Sequence, residues 1–363
     1  MQGIISRYRA FMPPEIQAIP DDKIVTLGEG ATPLIRAKNL EEYLRTQNKR
    51  FAAQVWLKDE GENPTKSFKD RGMTGAVSYE KSIGRAAVAC ASTGNTYGSA
   101  AAYAKKAGLK CYGLVPEGKV TPGKIFLASM HGATTIQIRG NFDVAFALVQ
   151  QLKEVGVVNN IHPYRLCGQA TAAFEICDKL KRFKRIPSYH FLPVGNAGNI
   201  TAYWMGYTLY KKLGKIPFGP AMMGCQAAGA AAMVFGRDIE NPETEASAIR
   251  IGKPARREEA TRARIESGGR FYSVTDDEIK EARKLLVETE DVFCELASAA
   301  PVAVVIKLAR LCALDFWSTL TVVCTLTGSG WKDLDTAFAQ FIPPKPIIIE
   351  PKLDDVMDVI RSK

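Results

Sequence analysis

A chain of 363 residues is long enough for two lobes with an ample core. Its 46% hydrophobic and 24% charged residues are the balance of a globular protein, and no run is long and apolar enough to cross a bilayer. The net charge of +10 would suit a nucleic-acid partner, but the basic residues are dispersed and the densest run, 179–185, reads as the solvated end of a helix with no nucleic-acid motif beside it.

Residues 1–20 read as a short helix and a turn rich in proline (Pro13, Pro14, Pro20), and Gly28-Glu29-Gly30-Ala31-Thr32-Pro33-Leu34 as a tight loop. Val55 and Leu57 alternate with polar neighbours as in a strand, and Gly61, Asn63 and Pro64 punctuate the loop after it. Thr65 or Ser67 is placed to cap a helix that begins near Phe68, carries Met73, Ala76 and Val77 on one face and stops near Gly84. Lys69 then lies in a first helical turn, where the positive end of the helix dipole opposes its charge and makes the amine a better nucleophile.

A buried strand over 85–91 runs through Ser92-Thr93-Gly94-Asn95-Thr96 into an Ala-rich helix that stops at Gly108. Backbone N–H groups and hydroxyls at such a junction form an anion site. Strand 110–115, helix 121–131, strand 134–138 and helix 143–155 follow, then a polar loop with Asn159, Asn160, His162 and Arg165, and a helix over 168–183. Strand 189–194 enters Gly195-Asn196-Ala197-Gly198-Asn199, a second strand–turn–helix unit whose N–H groups can cradle a dianion. It is neither G-x-G-x-x-G nor a Walker A loop, so a nucleotide is disfavoured. Strand 221–226, helix 276–290 and strand 320–325 complete the series, the last delivering Thr327-Gly328-Ser329-Gly330. Strands alternating with helices argue for parallel sheets covered on both faces. None of the eight cysteines forms a C-x-x-C pair, the three histidines have no ligand spacing, and the start lacks a signal-peptide apolar segment. These features read as reduced thiols, no metal site, no membrane or nucleic-acid partner, and a cytoplasmic location.

Ser67-Phe68-Lys69-Asp70-Arg71-Gly72, S-T-G-N-T, G-N-A-G-N and T-G-x-G resemble the motifs of the fold type II pyridoxal-phosphate enzymes, and among them have the order and rough spacing of the threonine synthases. The resemblance covers nearly the whole chain. It implies an α/β, two-lobed fold, each lobe a mostly parallel sheet flanked by helices: a large cofactor-binding domain from residues 1–75 and 155–363, and a small mobile domain from 76–154. It implies that Lys69 carries pyridoxal 5'-phosphate covalently and acts as the catalytic base. Phe68, Asn95, Gly195, Asn196, Ala197, Gly198, Asn199 and Thr327 would bind the cofactor, with Asn95 on the ring hydroxyl and Thr327 on the pyridine nitrogen. Ser92, Thr93 and Thr96 would hold the substrate carboxylate, and Asn159, Asn160 and Arg165 the phosphate of a small phosphorylated amino acid.

The implied reaction takes O-phosphohomoserine and water to threonine and phosphate, in a homodimer. Tyr97, Asn160, His162, Ala228, Lys253, Leu296 and Ser329 depart from the usual motifs. They keep open a relative acting on another phosphorylated amino acid, such as a cysteate synthase using O-phosphoserine and sulfite. A catalytically silent binding protein on the same fold is a further alternative, which the intact Lys69 argues against.

Overall fold

The computed structural model describes residues 2–92, 94–118, 122–140, 142–313 and 318–341, together with Met357 and Ile360. Among the described residues ten strands form two sheets: β1 (Leu34–Arg36), β2 (Gln54–Asp59), β3 (Ala87–Ala91), β4 (Lys110–Pro116), β5 (Thr134–Ile138), β6 (Gly156–Val157), β7 (Tyr189–Pro193), β8 (Ala221–Ala227), β9 (Arg270–Val274) and β10 (Thr321–Leu326). One sheet has the order β1-β2-β10-β7-β8-β9 and the other β5-β4-β3-β6. Every pairing is parallel except β1 with β2. This is the mostly parallel, helix-covered α/β architecture that the alternation implies.

Apolar runs explain the layers. Val322, Cys324 and Leu326 of β10 face helix Leu296–Arg310 and helix Asp276–Glu290 in one core. Val323 of the same strand faces the helices Arg165–Lys181 and Gly198–Lys212 in another, as alternation along a strand requires. Helix Asp276–Glu290 begins with a full capping box between Thr275 and Glu278 and has the bounds read from its pattern. A third core packs helices Lys69–Ser82 and Asn95–Ala107 on the smaller sheet.

Several elements differ from the sequence reading. Helix Phe142–Gln150 ends short of 155, because 156–157 is drawn into β6 beside β3. Helix Arg165–Lys181 starts earlier than 168, which puts Arg165 in its first turn. β1, β9 and the helices Lys38–Gln47, Arg257–Ser267, Leu296–Arg310 and Leu334–Gln340 were not read from the pattern. Among the described residues no helix is long and apolar enough to cross a membrane, and no cluster of His, Cys, Asp and Glu could hold a metal ion.

Candidate active site

The chemistry-bearing loops all follow the carboxyl ends of parallel strands, where open α/β sheets place their ligands. β2 leads to Lys69, β10 to Thr327 and β7 to the 195–199 turn. These strands are neighbours in the order β2-β10-β7, so Thr327 lies between the lysine and the Gly-rich turn. β3 brings Ser92 and Asn95 from the other sheet.

Lys69 is the first residue of helix Lys69–Ser82, with Phe68 at the cap. Neither Thr65 nor Ser67 caps it. The Asp70 carboxylate instead accepts from the Thr65 N–H at 2.6 Å and from its hydroxyl at 2.5 Å, and the Ser67 hydroxyl is buried without a partner. The Lys69 ammonium stands 4.4 Å from the centre of the Phe68 ring, and the Phe68 N–H donates to the Thr327 carbonyl at 2.9 Å. Dry surroundings, then the nearby charges of Arg165 and Lys332, bring the Lys69 amine down to about 7, against an opposing pull from Glu295.

Arg165 reaches this lysine because two helices cross closely. A side chain on Gly168 would overlap the Arg71 carbonyl oxygen, and one on Gly72 would stand 2.8 Å from Gln169 Nε2. Arg165 is 1% exposed. Its Nη1 donates to the Val158 carbonyl at 3.1 Å, while Nε and Nη2 are buried without partners. Burial lowers its pKa to about 10. Two cations thus occupy first turns, against their helix dipoles, and one has a fork of unused donors. Such a site wants an anion.

The 195–199 turn has the shape of a phosphate cradle. Ala197 has φ +63°, a left-handed conformation costly for a residue with a Cβ, and it leads directly into helix Gly198–Lys212. A side chain on Gly198 would overlap the Asn160 amide. Both polar atoms of the Asn199 side chain are buried without partners. Unsatisfied amide groups, a strained turn and a helix N-terminus together suit a phosphate of the size pyridoxal phosphate presents.

The remaining expected residues are distributed around these. Ser92 Oγ accepts from the Gly94 N–H at 3.2 Å, and Asn95 and Thr96 open helix Asn95–Ala107. Thr93 lies outside the described residues. Asn159 lies beside the site with its side chain committed to strand β3: its amide donates to the Ala91 carbonyl at 2.8 Å and its oxygen accepts from the Ala91 N–H at 2.9 Å. Asn160 Nδ2 donates to the Asn196 carbonyl at 3.4 Å. Thr327 shares a hydroxyl contact of 2.8 Å with Ser298, and its own hydroxyl donates to Glu295 at 3.3 Å.

Glu295 and Lys332 are the residues that motif reading missed. The Glu295 carboxylate, 6% exposed, accepts Asn95 Nδ2 at 2.9 Å, and burial raises its pKa. Lys332, half-buried, donates from Nζ to the Thr65 carbonyl at 2.8 Å, and desolvation lowers its pKa. Their signal in the sequence is a charged residue inside an otherwise apolar or Gly-rich segment.

Most departures from the usual motifs do not line this site. Tyr97 lies over Gly113 with its hydroxyl 2.9 Å from Thr135. His162 pairs with Glu80 at 3.1 Å. Leu296 is core, Ala228 is exposed, Lys253 is 80% exposed, and the Ser329 hydroxyl accepts from the Trp331 N–H. Of the set, Asn160 alone touches the Gly-rich turn among the contacts described above.

Comparison with known proteins gives the family. Residues 25–328 match the family model described as pyridoxal-phosphate dependent enzyme. A threonine synthase of Mycobacterium tuberculosis is 48% identical over 356 residues, covering 96% of this chain and 94% of that one. A threonine synthase of Synechocystis is 49% identical over 339 residues, covering 93% and 85%. In fold, O-acetyl serine sulfhydrylase isoform 3 of Entamoeba histolytica superposes with a TM-score of 0.72 at 18% identity, covering 87% of this chain and 91% of that one. The chain belongs to the pyridoxal-phosphate-dependent enzymes of fold type II.

Proposed function

We propose that the chain is a pyridoxal-phosphate-dependent threonine synthase, a lyase that takes O-phosphohomoserine and water to L-threonine and phosphate. One observation carries the reading. In a chain 48% identical to a threonine synthase, a lysine in the first turn of its helix lies within reach of the charge of a buried arginine whose Nε and Nη2 have no partner. Bound pyridoxal phosphate supplies an electron sink beside the substrate's α-carbon.

In this reading the residues divide the work. Gly195, Asn196, Ala197, Gly198 and Asn199 would hold the cofactor phosphate, Phe68 and Asn95 its ring, and Thr327, whose neutral hydroxyl contacts Ser298 and Glu295, its pyridine nitrogen. Lys69 is the covalent anchor and the proton carrier. Its free amine, held near 7, takes a proton from Cα, moves the next from Cβ to Cγ, and returns one to Cα once water has added at Cβ. Ser92, Thr93 and Thr96 receive the substrate carboxylate at a helix N-terminus. Arg165 and Asn160 hold the phosphate as it leaves Cγ with the bonding electrons, Asn159 braces them against β3, and water adds at Cβ. The large lobe of 1–75 and 155–363 and the small mobile lobe of 76–154 take up the two sheets, with the short β6 at their border. A homodimer in the cytoplasm completes the reading.

The test is phosphate release by protein loaded with pyridoxal phosphate and given O-phosphohomoserine, with O-phosphoserine in parallel and the amino-acid products identified. Threonine in step with phosphate is expected. A loaded protein that leaves O-phosphohomoserine untouched overturns the reading, and turnover of O-phosphoserine would favour the cysteate synthase-like alternative. Lys69→Ala should lose both turnover and the visible absorption of the bound cofactor.

A further inference from the structure

Ala255 and Arg256 bond to the two loops that carry Asn160 and Asn196. Arg256 donates from Nε and Nη2 to the Asn160 carbonyl oxygen at 3.1 and 3.0 Å, and from Nη1 to Glu259 at 2.8 Å. One residue before, the Ala255 N–H donates to Asn196 Oδ1 at 3.4 Å. Asn160 itself donates to the Asn196 carbonyl and occupies the space a Gly198 side chain would need. Three stretches of chain, 159–165, 195–199 and 253–257, are therefore laced together, by the bonds of Asn160 and by that of Ala255 to Asn196.

The charges at this point are unbalanced. Arg165 has two buried donor atoms without partners and no ion pair among the described residues. Arg256 is close enough for its charge to work against that of Arg165. The Arg256 side chain is only 16% exposed, and among the described residues its one ion pair is with Glu259, itself 41% exposed. A guanidinium has five N–H donors, and the three bonds named above leave donors to spare. The like charges of Arg165 and Arg256 oppose each other, Glu259 answers only the second, and a doubly charged anion would offset the remaining cost.

We propose that Arg256 is a positioning and specificity-determining residue for the leaving phosphate: it fixes the Asn160 peptide against the Gly-rich turn and adds a second positive charge beside the Arg165 fork. The proposal rests on the threonine synthase reading for its substrate. The ligand chemistry it names, a phosphate monoester dianion, can be probed with inorganic phosphate alone.

The experiment uses the pyridoxal-phosphate-loaded enzyme, so that the 195–199 cradle is already filled. Arg256→Met and Arg256→Lys are compared with the unaltered chain for kcat and KM on O-phosphohomoserine. Inorganic phosphate binding is read from its perturbation of the cofactor's visible band and from thermal protection. Loss of charge-assisted hydrogen bonding should raise both KM and the phosphate dissociation constant about tenfold in Arg256→Met. Arg256→Lys should recover part of this by restoring charge without the fork. kcat and the visible band should hold, which a general loosening of the fold would not allow. Unchanged KM and phosphate affinity in Arg256→Met overturn the proposal, as does a fall in kcat alone. If Arg256→Met does not fold, Arg256→Lys and Arg256→Gln decide: phosphate affinity equal to that of the unaltered chain in both sinks the idea. A chain that binds phosphate but does not turn over O-phosphohomoserine fails the functional reading and leaves the phosphate measurement to judge Arg256 alone.

Discussion

At the scale of the residue, what sets Lys69 apart is its company. A lysine in a first helical turn is disfavoured by the dipole, but that effect is modest and screened by water. Burial, Arg165 and Lys332 do the larger part in bringing its amine to about 7. Lys332→Met removes a positive neighbour and should raise that value. The acid limb of kcat, which reports the enzyme–substrate complex, is then expected at higher pH, with the alkaline plateau retained. An unmoved limb in a folded, cofactor-loaded variant would remove Lys332 from the account. Lys69, the 195–199 turn and Thr327 are legible in the sequence because each motif is local: a few consecutive residues make the turn and present the group. Glu295 and Lys332 are not, because their meaning comes from partners far along the chain, Asn95 for one and Thr65 for the other. Asn159 shows the converse. Its residue type suits a phosphate, yet its amide is occupied by Ala91.

At the scale of the element, glycines decide how closely helices approach, and that approach delivers Arg165 to Lys69. Gly72 and Gly168 let helices Lys69–Ser82 and Arg165–Lys181 cross nearly backbone to backbone. Gly168→Ala would press a methyl into the Arg71 carbonyl oxygen. Overpacking of this kind costs about 1–3 kcal/mol, and a lowered Tm should come with weaker phosphate binding as Arg165 is pushed away. Gly198→Ala meets the Asn160 amide instead, so its expected effect is reduced pyridoxal phosphate affinity, read by titration of the visible band.

Elements with a clear apolar stripe and a cap, such as Asp276–Glu290, can be read from the chain alone. Helix Leu296–Arg310 cannot, because it is buried almost all round and shows no polar face to set its period. Helix Arg257–Ser267 fails for the opposite reason: it is mostly charged and buries only Ala260 and Ala263.

At the scale of the whole molecule, one ionic cluster ties the N-terminal third to the rest. Arg71, 1% exposed, donates to Glu60 and Glu175, and Lys58 donates to Glu175 at 2.8 Å and to the Thr32 carbonyl at 2.8 Å. Burial alone would raise the Glu175 carboxyl, but Arg71 and Lys58 hold it below its ordinary value of 4.5. A carboxyl held down in the folded state stabilises it fully above that ordinary value and less as pH falls through and beneath it. Acid should therefore weaken the fold from about pH 4.5 downward, by way of this cluster. Glu175→Gln should flatten that dependence while costing about 3–5 kcal/mol at neutral pH, measured by denaturant unfolding at several pH values.

The clasp of Asn159 on Ala91 has a thermodynamic consequence of its own. The loop that holds the end of β3 in one sheet also carries Asn160 to the turn after β7 in the other. Any shift of one sheet against the other must therefore move the groups assigned to the departing phosphate. By reciprocity, a phosphorylated ligand that prefers one spacing of those groups biases the sheets toward it by the same free energy. Substrate capture and lobe closure would then be two readings of one equilibrium.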